Sequence, residues 1–169
     1  MEVERYLLAS ALSGIVSQKL ARKLCDKCKI LRETTPYEKQ LFKKYLGLDI
    51  NQVHDAVGCP ECSAGYKGRI ALQEVLLISP NIRDALSAKV SKAELRELVY
   101  KDDVITLLQD GLYKVIAGLT STEQVIKLVE SDDELNAETK MKYTNKSNQP
   151  LNWLLFIFFL SSVNLFYNY

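Results

Sequence analysis

Apolar residues recur through the first 24 positions at Val3, Leu7, Leu8, Ala11, Leu12, Ile15, Val16, Leu20 and Leu24. Steps of three, four and seven place them on one face of a helix, with Arg5, Lys19, Arg22 and Lys23 mostly off it. The pattern predicts one amphipathic helix over about 2–24. Gly14 weakens it by about 1 kcal/mol relative to Ala and implies a close packing partner there. A second helix is expected over about Tyr37–Leu46, with Pro36 in its first turn and Gly47 as its stop. The short run RIALQEVLLI, Arg69–Ile78, is rich in β-branched and apolar residues and reads as a buried strand. Gly65 and Gly68 mark a tight loop before it.

Three further helix starts are legible. Ser79-Pro80 sets an N-cap before a proline at the first helical position. Ser91-Lys92-Ala93-Glu94 is a capping box, and Thr120-Ser121-Thr122-Glu123 repeats the spacing. Between these boxes Ile105, Leu108, Leu112, Val115 and Ile116 predict a helix over about 104–117, stopped by Gly118, and a last helix is expected over about 121–129. After Glu130 the pattern changes. Residues 131–150 are polar and charged and read as a linker. Residues 151–169 are apolar and aromatic, with WLLFIFFL at 153–160 and no charged side chain from Ser147 to Tyr169.

Composition narrows the chemistry. The 169 residues carry 22 Lys+Arg and 21 Asp+Glu, a net charge of +1. So even a balance supplies no field for gripping a phosphate backbone, and nucleic acid is not an expected partner. His54 is the one histidine, which excludes two-His metal sites and HExxH hydrolases. Its position five residues before Cys59 fits no ligand spacing, so it reads as a surface residue. The seven glycines form neither GxxxxGK[ST] nor GxGxxG, and Gly-x-Ser-x-Gly is absent. Asp102, Asp103 and Asp110, and the run Asp132-Asp133-Glu134, read as solvated helix ends and linker. The opening MEVERYLLAS has no basic region before its apolar stretch, so no secretory signal is expected and a reducing compartment is.

In such a compartment four cysteines point to metal ligation rather than disulfides. Cys25-x-x-Cys28 and Cys59-x-x-Cys62 are two knuckles, each able to present two thiolates to one ion. Four soft thiolates fill a tetrahedral set with no open position, which suits a structural Zn²⁺. The long loop between the knuckles is a minor objection. Closure entropy grows only logarithmically, and zinc binding in small modules contributes about 10–16 kcal/mol. Lys27, Lys29 and Arg22 would help keep the thiolates ionised. Four reduced buried cysteines and an iron–sulfur cluster remain alternatives. Arg69, after the glycine loop, reads either as an ion-pair residue entering a strand or as a contact for a phosphate or an acidic partner.

Three blocks, LLASALSGIVSQKLARKLCDKC, GCPECSAGYKGRIALQEVLLI and LLQDGLYKVIAGLTSTEQV, taken in order over about Val3–Val129, resemble the C-terminal part of the type II secretion and type IV pilus assembly ATPases, within the secretion-ATPase superfamily. The resemblance implies a fold that is mostly α (an α+β remnant): the distal part of a RecA-like motor domain over residues 1–130, with an inserted tetracysteine zinc module at about 25–62 and C-terminal helices. It implies Zn²⁺ at Cys25, Cys28, Cys59 and Cys62, a cytoplasmic location beside the inner membrane, hexamer formation or pairing with an N-terminal half, and docking to inner-membrane platform proteins. ATP and Mg²⁺ enter only through that resemblance. The family's phosphate loop and its acidic and histidine motifs precede the matching region and are absent from these residues, so no ATP hydrolysis by this chain alone is expected. A non-enzymatic zinc adaptor is the alternative reading.

The tail lies beyond the family pattern. Leu151–Tyr167 would span about 25 Å as a helix, at the short limit for a bilayer core of about 30 Å. Trp153, Tyr167 and Tyr169 suit an interfacial belt, whereas WLLFIFFL also suits β-association. A membrane anchor, a buried or partner-binding segment, and a tail under no selection are the three readings.

Overall fold

The computed structural model describes residues 5–101 and 104–130. A long antiparallel ribbon runs through it. Strand β1 (Gly14–Leu24) pairs with β4 (Tyr66–Leu77), Gly14 facing Leu77 and Leu24 facing Tyr66, with a bulge between Arg22 and Leu24. The 41 residues between these strands form an insertion at one end of the ribbon, carrying β2 (Ile30–Glu33), α2 (Pro36–Leu46) and β3 (Gln52–Asp55), with β2 and β3 paired antiparallel. Helix α1 (Arg5–Ala11) precedes the ribbon. α3 (Pro80–Ser87), α4 (Lys92–Lys101), α5 (Leu107–Ile116) and α6 (Thr122–Glu130) follow it.

The core lies between the inner face of the ribbon and the last two helices. Ala21 and Leu72 from the strands meet Leu112, Val115 and Val125, and Leu41, Phe42 and Val53 extend the cluster into the insertion. Gly111 lets α5 and α6 approach closely, since a Cβ there would stand 2.5 Å from Val125 Cγ1. Helix α5 also covers the outer edge of β4. Asp110 accepts the Gln73 backbone N–H at 2.7 Å, and Lys114 donates to the Ala71 carbonyl at 2.7 Å. An exposed strand edge is thereby closed by a helix. At the other end of the ribbon, the Arg83 guanidinium donates to the carbonyls of Ala9, Ser10 and Leu12, satisfying the C-terminal end of α1.

The structure corrects several expectations. The helix predicted over 2–24 is a one-turn-plus helix followed by a strand: Leu12 and Ser13 end α1, and Gly14 opens β1. The apolar spacing is compatible with either element, and pairing with β4 over ten aligned positions decides for the strand. Gly14 does have a close partner, but it is a strand neighbour, since a Cβ would lie 3.2 Å from the Leu76 carbonyl. The expected strand exists but is only partly buried: Tyr66 and Leu72 are its buried residues. The four-residue strands β2 and β3 carry no sequence signal long enough to stand out. With four strands among the described residues, the fold is α+β rather than mostly α.

Helix α2 starts and stops as expected. A Thr35/Glu38 capping box adds to Pro36, and Gly47 closes the helix with φ +68°. The Ser79 and Ser91 caps form as predicted. The helix predicted over 104–117 is three residues shorter at its start, where Thr106 and Gln109 make a capping box. The last cap is displaced by one residue and is a single N-cap rather than a box. Ser121 Oγ accepts the Gln124 N–H, while Thr120 Oγ1 donates to the Arg22 carbonyl. Asp110 is no solvated helix end, because it is drawn into the β4 edge. Asp102, Asp103, Asp132, Asp133 and Glu134, the linker over 131–150 and the tail over 151–169 lie outside the described residues. Among the described residues no helix is long and apolar enough to cross a membrane.

Candidate metal centre

Both knuckles hang on the ribbon. Cys25 directly follows β1, and Cys62 lies just before β4, so strand pairing brings two sequence-distant CxxC turns together. Each turn is a tight reverse turn. The Cys28 and Lys29 amides donate to the Cys25 carbonyl, and the Cys62 amide donates to the Cys59 carbonyl. The Cys25 amide donates to Gly65 O at 2.9 Å, joining one knuckle to the other. Gly65 is required there. Its φ is +86°, and a Cβ would stand 2.6 Å from the Ala56 Cβ and 2.9 Å from the Val57 N.

The four Sγ atoms all lie within 4.8 Å of one another. The closest separations are 3.5 Å for Cys59–Cys62, 3.7 Å for Cys28–Cys62 and 3.9 Å for Cys25–Cys59. A tetrahedral thiolate site with Zn–S bonds of about 2.3 Å has sulfur–sulfur edges of about 3.8 Å. The donor set therefore fits one tetrahedral ion. A disulfide would need about 2.05 Å, and all four cysteines are free. Cys25 is buried and the other three are half-buried.

Proton placement within the cluster is uneven. Loss of water pushes the Cys28 thiol up to about 12, despite the Gly58 amide beside it. The Glu61 amide pulls Cys59 down, but the Cys62 thiol and loss of water outweigh it and the net direction is up. For Cys62, loss of water is outweighed by the Cys59 amide at 3.2 Å and by the Cys59 and Cys28 thiols, which brings it down to about 7. Backbone amides, not side-chain cations, thus stabilise the sulfur charge. Lys27 pairs with Glu61 at 2.5 Å, Lys29 binds Asp26 and the Gly118 carbonyl, and Arg22 stacks 4.1 Å over the Tyr66 ring while donating to Gln124. The expectation that these three cations hold the thiolates ionised is therefore corrected.

Two sets of contacts hold the centre in place. Inside the insertion, Arg32 is bidentate to Glu38 at 2.8 and 2.9 Å and donates to Asp55 at 2.6 Å, tying β2, α2 and β3 together. The Arg32 guanidinium holds the Glu38 carboxyl down at about 2. This cluster escaped the sequence reading, although Thr35-x-x-Glu38 is a capping-box signature that could have found one end of it. Outside the insertion, the α5–α6 turn grips the root of both knuckles. Leu24 N donates to Leu119 O at 2.9 Å, and the Tyr66 and Ser121 hydroxyls meet at 2.8 Å. His54, expected at the surface, is half-buried instead. It packs beneath Gly118, where a Cβ would come within 2.7 Å of Nδ1. Arg69 is exposed, faces Arg22 across the ribbon, and is not brought into the cysteine cluster.

The family model T2SSE, type II/IV secretion system protein, matches residues 1–127. The chain belongs to the type II/IV secretion system protein family. Putative type II secretion system protein E of Escherichia coli K12 is 37% identical over 138 residues, covering 81% of this chain and 28% of that protein. The type IV pilus assembly ATPase PilB of Thermus thermophilus is 37% identical over 132 residues, covering 75% and 14%. Type II secretion system protein E of Pectobacterium carotovorum is 35% identical over 133 residues, covering 78% and 26%. The chain thus spans little more than a quarter of the length of these relatives, or less.

Proposed function

We propose that this chain supplies a structural zinc module and a docking surface to a type II secretion or type IV pilus assembly machine. The carrying observation is the four-sulfur cluster, whose edges match a closed tetrahedral site. A closed thiolate set leaves no coordination position for water or substrate, so the ion's role is to hold the insertion on the ribbon. Cys25, Cys28, Cys59 and Cys62 are the proposed ligands. Zn²⁺ is the proposed ion because all four donors are soft thiolates.

The matched relatives include proteins named as ATPases, and these residues correspond to the part of a RecA-like motor domain beyond its nucleotide motifs. With no phosphate loop in the 169 residues, ATP hydrolysis is assigned to an assembly with a subunit or segment bearing that loop. Homo-oligomeric or heteromeric assembly and contact with an inner-membrane platform in the cytoplasm belong to this proposal. So does Arg69, an exposed cation opposite Arg22 in the strand register, whose side chain is open to an acidic group or phosphate while Arg22 is held on Tyr66 and Gln124.

Metal analysis of the purified chain tests the first part. One zinc per chain is expected, released by thiol modification, and Co²⁺ exchange should give tetrathiolate charge-transfer bands. Visible absorption of an iron–sulfur chromophore, or no bound metal, would overturn it. The second part is tested by co-expression with a phosphate-loop-bearing family subunit. Joint purification in a ring-sized particle is expected, with ATP turnover absent from this chain alone.

A further inference from the structure

The two knuckles are not equally open to solvent. Cys25 is 2% exposed, whereas Cys28, Cys59 and Cys62 are half-buried. The first knuckle is anchored at its root, where the Leu24 amide donates to the Leu119 carbonyl and the Cys25 amide to the Gly65 carbonyl. A small solute therefore reaches one sulfur of the first knuckle and both sulfurs of the second. The second is also the tighter pair. Cys59 and Cys62 stand 3.5 Å apart, inside the edge of about 3.8 Å that a tetrahedral thiolate site sets. Their turn is already closed by the Cys62 amide on the Cys59 carbonyl at 3.2 Å, so an S–S bond of about 2.05 Å asks for no movement of the strands. The cross-knuckle separations are longer, 3.7 Å for Cys28–Cys62 and 3.9 Å for Cys25–Cys59, and each joins residues 34 apart in sequence.

We propose that Cys59 and Cys62 are a peroxide-sensitive redox pair, whose oxidation to a disulfide releases the ion and unlocks the insertion from the ribbon. The inference rests on the reading of the cluster as a zinc module. One thiolate of the pair attacks hydrogen peroxide, breaking the O–O bond, taking one oxygen as a sulfenic acid and releasing hydroxide. The second thiolate attacks that sulfur. The S–S bond forms and the sulfenic oxygen leaves as a second hydroxide. Two electrons pass from the sulfurs to the peroxide, and no further co-reactant is needed. Half the donor set is then lost, and Cys25 and Cys28 alone do not make a closed site. The place of the bridge decides the consequence. A bridge inside the Cys59–Cys62 turn constrains little beyond that turn, whereas a cross-knuckle bridge would replace the closure that the ion provides. Reduction by a dithiol restores both thiols, so the latch is reversible.

The test uses the full, zinc-loaded chain and hydrogen peroxide. Absence of zinc before treatment would overturn the zinc reading and this inference together; failure of a later step overturns this inference alone. Trypsin cuts after Lys44 and Lys67 and leaves Cys59 and Cys62 in one peptide, Tyr45–Lys67, while Cys25 and Cys28 fall in two others. After peroxide and blocking of free thiols, that peptide should be unlabelled and lighter by two hydrogens. One zinc should be released per bridge, and the cooperative thermal transition should be lost. A dithiol with added Zn²⁺ should restore thiols, zinc and transition. Cys62→His keeps a nitrogen–sulfur set able to hold zinc but removes one member of the pair. It should retain zinc at the peroxide dose that empties the wild type, whereas Cys28→His should release it as the wild type does. Should neither variant hold zinc, the wild-type peptide map decides alone. Four outcomes would overturn the proposal: a Cys28–Cys62 bridge in place of Cys59–Cys62, zinc retained beside a Cys59–Cys62 bridge, release that a dithiol does not reverse, and zinc loss from Cys62→His as fast as from the wild type.

Discussion

At the residue scale the chemistry is set by where protons and charges can rest. Three of the four thiols face a loss of water on leaving solvent, and the cluster concentrates its acidity on Cys62 at about 7 while Cys28 is pushed to about 12. An ion must displace those protons, so metal affinity is expected to fall steadily as pH is lowered from about 8 to about 6. Titration calorimetry in buffers of different ionisation enthalpy should show proton release on binding. pH-independent affinity would contradict four thiolate ligands. Glu38 behaves oppositely from the Cys28 thiol. Its folded value of about 2 lies below the ordinary 4.5, so its stabilisation is complete above pH 4.5 and drains away as pH falls towards 2. Glu38→Gln, which leaves Arg32 with Asp55 and the Glu33 carbonyl, should cost about 1.5–3 kcal/mol at pH 7, the range for a hydrogen bond to a charged group. Urea melts at pH 7 and pH 3 should show the gap between the wild type and the variant narrowing at the lower pH.

At the element scale the decisive contacts are those that finish strands rather than those that fill the core. Asp110 and Lys114 sit one helical turn apart on α5 and turn the outer edge of β4 into a satisfied edge. Asp110→Ala would leave the Gln73 N–H without its acceptor and should destabilise by about 1–3 kcal/mol. Faster amide exchange at Gln73, with the metal content unchanged, is the specific signature; unchanged exchange would remove the edge-capping role. The same logic explains why the sequence reading put a helix over 2–24. Apolar residues at Ile15, Val16 and Leu20 satisfy a helical stripe and a two-sided strand equally well. Only the partner β4, beyond the whole insertion, distinguishes them. Helices bounded by their own caps were legible, because Ser79, Ser91 and Gly47 act on backbone groups within four residues. The one-residue slip from Thr120 to Ser121 has a tertiary correlate: the Thr120 hydroxyl donates to the Arg22 carbonyl across the fold, and Ser121 caps the helix.

At the scale of the whole molecule, the cysteine cluster and the α5–α6 turn share one root. Leu24, Cys25 and Tyr66 each bond across to the turn or to the opposite knuckle, so the insertion, the ribbon and the last two helices meet at one corner. The proposed ion would close a long insertion, a contribution of about 10–16 kcal/mol in small zinc modules. A domain's net stability is only about 5–15 kcal/mol. Complete chelation is therefore expected to abolish the cooperative thermal transition seen by circular dichroism. Survival of that transition in the chelated chain would show that the core stands without the ion.

Local information in the sequence determined the knuckles, the helix caps and the family blocks. A CxxC turn, an N-cap and a left-handed glycine each do their work within a few residues, so their signals are complete in a short window. Tertiary structure alone decided that residues 14–24 are a strand, that Asp110 and His54 are drawn inward, and that amides rather than lysines face the sulfurs. The strand, Asp110 and His54 each depend on a partner tens of residues away, and the lysines are drawn off by acids and carbonyls that no CxxC pattern specifies.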